Sequence, residues 1–513
     1  MTNILVITHL SSINSGLAIY GKNLIENLIE RGHKVTEFGI GSTKNIDSVK
    51  WDLIVNQPED HQLEEFNSNP NNRNGQWKFE PILLKLKVDL VIDIRDVFAY
   101  SYQTVSPFRD MFNHIGIAAV DGIPQKKHWL EIFRGLDGVF VYTDWAKQVL
   151  EKEGIKVDGL ASPSITDNFC ELKTNIKEEM GLGDFRIIGS VMRNQPRKLI
   201  PELFEGFRKY LDNSGDDKTL LYLHCSYPDV AFDIPELLLT HGLSSKVLFT
   251  FYCEECNSVF PSFWRGTISH CPYCGEKTAK TAEITDDIND ETLNEIYSIF
   301  DYYIQLANRE GFGQPQLEAI KCGKPVATVN YSGMKHFIDN YDCLPIEPDV
   351  IKFSYKMEMY EACVNVDNVA KSIEELLKRD NKKVVQENWK SSFQTMLDFI
   401  DQKDFKGRWN LPYDIKPIPE YQEFDCSNYD YARYLVLDVL QKPKLISSMF
   451  FTRLVDELNY GFSFGRQHGI YLLEPEYKRS SSIIPFNRKV AYNFLRQERE
   501  RINFWENQRK IQG

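Results

Sequence analysis

The chain of 513 residues is 42% hydrophobic and 13% aromatic, and its 60 Lys+Arg against 73 Asp+Glu leave a net charge of −13. That is apolar material for about three packed domains, which excludes global disorder. No stretch approaches the ~18–20 unbroken apolar residues of a spanning helix, and the acidic balance argues against wholesale binding of nucleic acid or anionic membrane.

Residues 3–7 (NILVI) are a short apolar run, too short for a signal peptide and suited to a strand buried on both faces. A loop at 11–16 follows, and Leu17, Tyr20, Leu24 and Leu28 then recur at helical spacing until Gly32 stops the helix. Strand-like runs return at 88–92, 115–120 and 138–141, so residues 1–170 read as a doubly wound, parallel-sheet α/β domain. A second such domain spans 171–403, with strands at 186–191, 220–224, 246–250, 302–306 and 325–329 and a polar helix near 384–401 that closes it. An insertion at 251–282 interrupts it, and 404–513 form an extension without the strand–helix rhythm. Residues 441–513 hold 13 Lys+Arg against 7 Asp+Glu, so this tail is +6 and the rest is −19.

Four of the ten cysteines, Cys253, Cys256, Cys271 and Cys274, form two Cys-x-x-Cys pairs separated by 14 residues. That spacing fits a closed tetrahedral four-thiolate zinc site, a structural metal that lends folding energy to an insertion too small for its own core. The ribbon's Glu254, Glu255 and Glu276 against Arg265 and Lys277 leave no basic stripe for nucleic acid. The other six cysteines are scattered, as expected of reduced thiols in a cytoplasmic protein.

The sharpest stretch is 310–326, Glu310-Gly311-Phe312-Gly313-Gln314-Pro315-Gln316-Leu317-Glu318 and onward to Cys322-Gly323-Lys324-Pro325-Val326. After a strand ending near Leu306, glycines let backbone approach a ligand, and Pro315 sits where a helix's first turn tolerates it. The free N–H groups there favour an anion such as a diphosphate, and two carboxylates flank that position to accept hydrogen bonds from hydroxyls.

This string resembles the donor-site signature of glycosyltransferase family 4, in which two glutamates bracket a Gly-Phe-Gly-x-Pro core. The segment 189–198, ending Arg193-Asn194-Gln195-Pro196-Arg197-Lys198, is similar to the family's second donor motif, which makes Arg193 and Lys198 the cationic clamp on the diphosphate. The resemblance covers roughly 1–402 apart from the insertion. It implies the GT-B fold, two Rossmann-like domains facing across a cleft. It also implies a nucleotide-sugar donor, transfer with retention to an acceptor hydroxyl, no catalytic metal, and the departing diphosphate as acceptor of the proton. Glu318 then holds the ribose, Glu310 contacts the donor sugar with help from Phe312, Gly313 and Gln314, and Ile288 lies in the loop beside the base. Gly16 matches the first-strand glycine loop, although Ser15 replaces one of its paired glycines. Asp121 stands where many relatives have an active-site His and could bond the sugar or cap a turn. His224 ends a strand facing the same cleft, and His336 replaces a Glu common in the loop after Gly333.

The acceptor is open on this reading: a small molecule, polysaccharide, protein or modified DNA base, the last as in some viral relatives acting in host cytoplasm. From residue 471 the tail interleaves aromatic and basic residues, which suits contact with a polyanion or a membrane interface or, as Glu498 and Glu500 favour, a helix packing its aromatic face. An epimerase or phosphorylase on the same fold lacks the two-glutamate string. The non-enzyme alternative is a GT-B-derived scaffold acting through ribbon and tail, against which the intact Arg193, Lys198, Glu310 and Glu318 speak.

Overall fold

The computed structural model describes residues 1–13, 15–41, 48–106, 108–172, 176–283, 286, 288–380, 388–409, 460–462 and 486–487. Asn14 of the first loop, most of the 404–513 extension and all but two residues of the tail from 471 lie outside them. The chain divides into one compact unit of Met1–Glu65, Leu90–Ala99 and His114–Phe405, and a second of Phe66–Asp89, Tyr100–Asn113 and Lys406–Gly513. Among the described residues no helix is long and apolar enough to cross a membrane.

The first unit contains both expected sheets. One has β1 (Asn3–His9), β2 (Lys34–Ile40), β3 (Asp52–Val55), β4 (Leu90–Asp93), β5 (Asn113–Ala118), β6 (Gly138–Val141) and β7 (Gly159–Leu160), in the order β3-β2-β1-β4-β5-β6-β7. Its registered pairs are parallel. Ile4, Leu5, Val6 and Ile7 are all fully buried, which is why this run shows no polar alternation. The other sheet has β8 (Arg186–Val191), β9 (Thr219–His224), β10 (Val247–Cys253), β11 (Val259–Phe263), β12 (Ala279–Thr281), β13 (Tyr302–Gln305), β14 (Val326–Val329) and β15 (Leu344–Ile346). Their order is β11-β10-β9-β8-β13-β14-β15, with β12 also pairing β10. β10 joins the sheet to the cysteine module: Val247, Leu248 and Phe249 pair parallel with β9, residues 248–252 pair antiparallel with β11, and residues 251–253 pair antiparallel with β12. A hairpin of β16 (Val350–Ser354) and β17 (Met359–Cys363) follows β15.

The helix Trp389–Lys403 departs from the sequence expectation. It does not close the second sheet but returns to the first, where Phe393 and Trp389 meet Tyr20 at 5.0 and 5.6 Å and Phe399 meets Phe140 at 5.4 Å. Its apolar face, Trp389, Phe393, Met396, Leu397 and Ile400, is buried there, and Arg31 bridges Asp398 and Asp401 at 3.1 and 2.6 Å. The polar residues that dominate its composition lie on the other face.

In the second unit the helix Gln76–Leu86 packs Phe79 against Tyr102 and Phe112. Trp409 Nε1 donates to the Val88 carbonyl at 2.7 Å and the Gly407 amide to Asp89 at 2.8 Å. Tyr460–Phe462 pairs antiparallel with Phe486–Asn487.

Candidate active site

In parallel α/β sheets ligands bind beyond the carboxyl ends of the strands. Loops leaving those ends carry Asp96 after β4, Asp121 after β5, Arg193 to Lys198 after β8, His224 at the end of β9, and Arg309 and Glu310 after β13. Two close approaches show that the ends of the two sheets face each other. A Cβ on Gly16, at the first turn of the helix Gly16–Glu30, would lie 3.2 Å from Gln314 Oε1. A Cβ on Gly311 would lie 2.9 Å from that of Ala119. Ser15 caps the helix by accepting from the Ala18 amide at 3.3 Å, which gives the serine at this glycine position a structural reason.

Glu310 is buried, and its backbone is gripped by the turn Ser332–Met334. The Glu310 amide donates to Ser332 Oγ at 2.9 Å, Ser332 Oγ donates to the Glu310 carbonyl at 3.1 Å, and the Gly333 amide donates to that carbonyl at 2.9 Å. A Cβ on Gly333 would stand 2.5 Å from the Gly311 carbonyl oxygen, so only glycine fits. Ser332 takes the left-handed region at φ 52°, a cost of ~1–2 kcal/mol for a residue with a Cβ. The side chain of Glu310 accepts from Arg197 Nη1 at 2.5 Å and from Lys198 Nζ. Burial alone would raise this carboxyl, but the two cations hold it below its usual range. Beside it the helix Gln314–Lys321 opens with Gln314 and Pro315, and the amides of Phe312, Gly313 and Gln314 make no backbone hydrogen bond among the described residues.

Of the two arginines in the β8 loop, Arg197 is therefore the one at Glu310. Arg193 is directed to Asp229, bidentate at 2.9 and 3.1 Å, with its side chain 44% exposed. Glu318 is buried one turn into its helix and accepts from Tyr297 OH at 2.7 Å through Oε2, and Oε1 makes no hydrogen bond among the described residues. Burial pushes its carboxyl up to about 7, against the Tyr297 hydrogen bond. Phe312 is buried against Phe337 and His336 at 5.1 and 5.4 Å, so His336 reaches the site through the ring it packs on. Gly313 has φ 111°, which frees the helix start. His224 Nδ1 meets Thr250 Oγ1 at 2.9 Å, and burial lowers the imidazole to about 4, leaving it neutral. Ile288 is half-buried in the loop before the helix Asp290–Ile299.

Asp121 pairs with Arg309, a residue the sequence reading passed over. Burial and the Glu310 charge raise the Asp121 carboxyl despite Arg309 and Arg197. Asp96 was also missed. It is open to solvent but walled closely enough that desolvation and Asp121 raise it as well. The available signal was position: Asp96 follows β4 as Asp121 follows β5, and Arg309 directly precedes Glu310.

In the cysteine module the four Sγ atoms lie within 4.8 Å of one another. Cys253 to Cys274 is 3.6 Å and Cys256 to Cys271 is 3.7 Å, close to the edge of about 3.8 Å of a tetrahedron with ~2.3 Å metal–sulfur bonds. The four thiols could hold a metal ion in a closed site. Phe251 stacks on Phe260, and Trp264 packs on Phe249 and Tyr227, so the module is joined to the sheet by aromatic contacts.

Residues 276–390 match the protein family described as Glycosyl transferases group 1. Sucrose-phosphate synthase from Thermosynechococcus elongatus is similar in structure, with TM-score 0.55 at 15% identity over 79% of this chain and 98% of that one. A TarM mutant from S. aureus, solved in complex with fondaparinux, alpha-GlcNAc-glycerol and UDP, gives 0.52 at 12% identity over 78% and 100%. HepE from Anabaena in complex with UDP and glucose gives 0.50 at 12% over 79% and 98%. The likeness is one of fold, and that fold is GT-B. No curated protein matches the sequence at a significant level.

Proposed function

We propose that this chain, which carries a Glycosyl transferases group 1 domain on a GT-B fold, is a nucleotide-sugar-dependent glycosyltransferase that transfers with retention to an acceptor hydroxyl. The observation that carries the reading is Glu310, held ionised by Arg197 and Lys198 just before the start of the helix Gln314–Lys321, whose Gln314 lies against Gly16. Solved relatives in fold include complexes with UDP and with UDP-glucose, which supports a donor of that class. In this reading the diphosphate lies at the start of the helix Gln314–Lys321, with Lys198, Arg193 and Arg197 as countercharge. Negative charge grows there as the glycosidic bond breaks, and fixed cations in a water-poor cleft stabilise it. Glu318 accepts from the ribose hydroxyls through Oε1, and Glu310 and Asp121 contact the sugar. The departing diphosphate takes the acceptor's proton on the front face. Zinc fills the Cys253, Cys256, Cys271 and Cys274 site in a structural role.

The test is a panel of UDP-, GDP-, ADP- and CMP-linked sugars scored by melting temperature and slow donor hydrolysis. One of them should stabilise the protein and be hydrolysed, with hydrolysis abolished in Glu310→Gln. No shift and no turnover across the panel would refute the proposal.

A further inference from the structure

Arg309 is an unusual residue in the molecule. Its side chain is 9% exposed, and it meets two carboxylates from different places: Asp121, after β5 of the first sheet, and Glu361, on β17, whose carboxylate is 3.3 Å from Arg309 Nε. The hairpin that carries Glu361 is itself fastened to the Asp121 loop. The Tyr360 amide donates to the Ile123 carbonyl at 2.7 Å, Lys126 pairs with Glu358 at 2.7 Å, and a Cβ on Gly122 would lie 2.7 Å from Met359 Sδ. The Ala362 amide donates to the Asn308 carbonyl at 2.9 Å, so the hairpin also braces the strand end that leads into Arg309 and Glu310.

We propose that Arg309 is a positioning residue for the transfer reaction, which holds Asp121 and the hairpin against the Glu310 loop so that the sugar end of the cleft is assembled from both sheets at once. This rests on the transferase reading above. The physical case is that a guanidinium offers five donors in a fixed fork and can serve two carboxylates together, which an ammonium on a flexible stem does poorly. A partly desolvated ion pair that loses one partner leaves an uncompensated charge, so Asp121 would turn away toward water. The nucleotide side of the site, Glu318 with the helix starting at Gln314, contains neither Asp121 nor the hairpin. Loss of Arg309 should therefore spare nucleotide binding and strike the transfer step.

The experiment uses the full chain and the donor selected by the panel. Arg309→Met should lower kcat about 100-fold while the Kd for the donor's nucleoside diphosphate stays within about threefold of wild type. Asp121→Asn should lower kcat as well, and the double variant should lose no more than Arg309→Met alone, because the Arg309–Asp121 pair is already cut in each single variant. If Arg309→Met does not fold, Arg309→Lys carries the same test with an expected loss of about tenfold in kcat. Wild-type kcat in the folded variant, losses that multiply in the double variant, or nucleotide affinity that falls in step with kcat would each overturn the proposal. A wild-type protein that turns over no donor would bring down the transferase reading and this proposal with it, whereas an active wild type with indifferent Arg309 variants overturns the proposal alone.

Discussion

Glu318 offers a stability prediction whose sign follows from its surroundings. Burial raises its carboxyl from 4.5 to about 7, with the Asp290 charge adding to the effect and the Tyr297 hydrogen bond opposing it; Tyr303 and Cys322 also face it. An acid whose pKa is raised by folding binds more protons folded than unfolded, so folding stability declines as pH climbs from about 4.5 through 7. A rise of that size costs roughly 3 kcal/mol once the pH exceeds 7, at ~1.4 kcal/mol per unit. Glu318→Gln keeps a neutral, hydrogen-bonding side chain at every pH. The variant should match wild type near pH 4.5 and exceed it in unfolding free energy by roughly 3 kcal/mol at pH 8, less the altered Tyr297 contact. Denaturant unfolding at pH 5, 6.5 and 8 measures the gap. Nucleotide binding supplies a second reading, because ribose hydroxyls favour the ionised carboxylate: calorimetry at pH 6 in two buffers should find close to one proton released by wild type and none by the variant. A stability gap that does not change with pH would refute the assignment of this carboxyl as neutral below pH 7.

Ser332→Ala removes both hydroxyl hydrogen bonds to the Glu310 backbone and should cost ~1–3 kcal/mol. It should also lower transfer more than nucleotide affinity, and unchanged kcat would refute the grip. Freshly purified protein should hold about one zinc per chain, and Cys253→Ser or chelation should remove it and expose Phe251 and Phe260, seen as a lower Tm and a changed near-ultraviolet circular dichroism. Phe393→Ala, fully buried between Tyr20 and Trp389, should cost ~3–5 kcal/mol in denaturant unfolding. A loss below about 1 kcal/mol would mean that the helix Trp389–Lys403 is not held on the first sheet by its aromatic face.

Much of the molecule is written in local pattern. Fully buried parallel strands need continuous apolar runs, so residues 3–7 and 138–141 announce themselves, and a closed four-thiolate site needs the Cys-x-x-Cys spacing found at 253–256 and 271–274. Glu310 and Glu318 stand out as candidates in the sequence because a glycine-bracketed strand–helix turn confines both to one short segment. What the tertiary structure decided are pairings between distant residues. Arg193 and Arg197 are equivalent on paper, four positions apart in one loop; Asp229 claims the first, which leaves the second for Glu310. Arg309 meets Asp121 across 188 positions, and Trp389 meets Tyr20 across an even longer separation in the chain. Periodicity tells a side chain which face to occupy, but not which surface will cover that face. Charge type names a possible partner without choosing among the many available. Those choices are made by packing and desolvation, which act only once distant segments have come together.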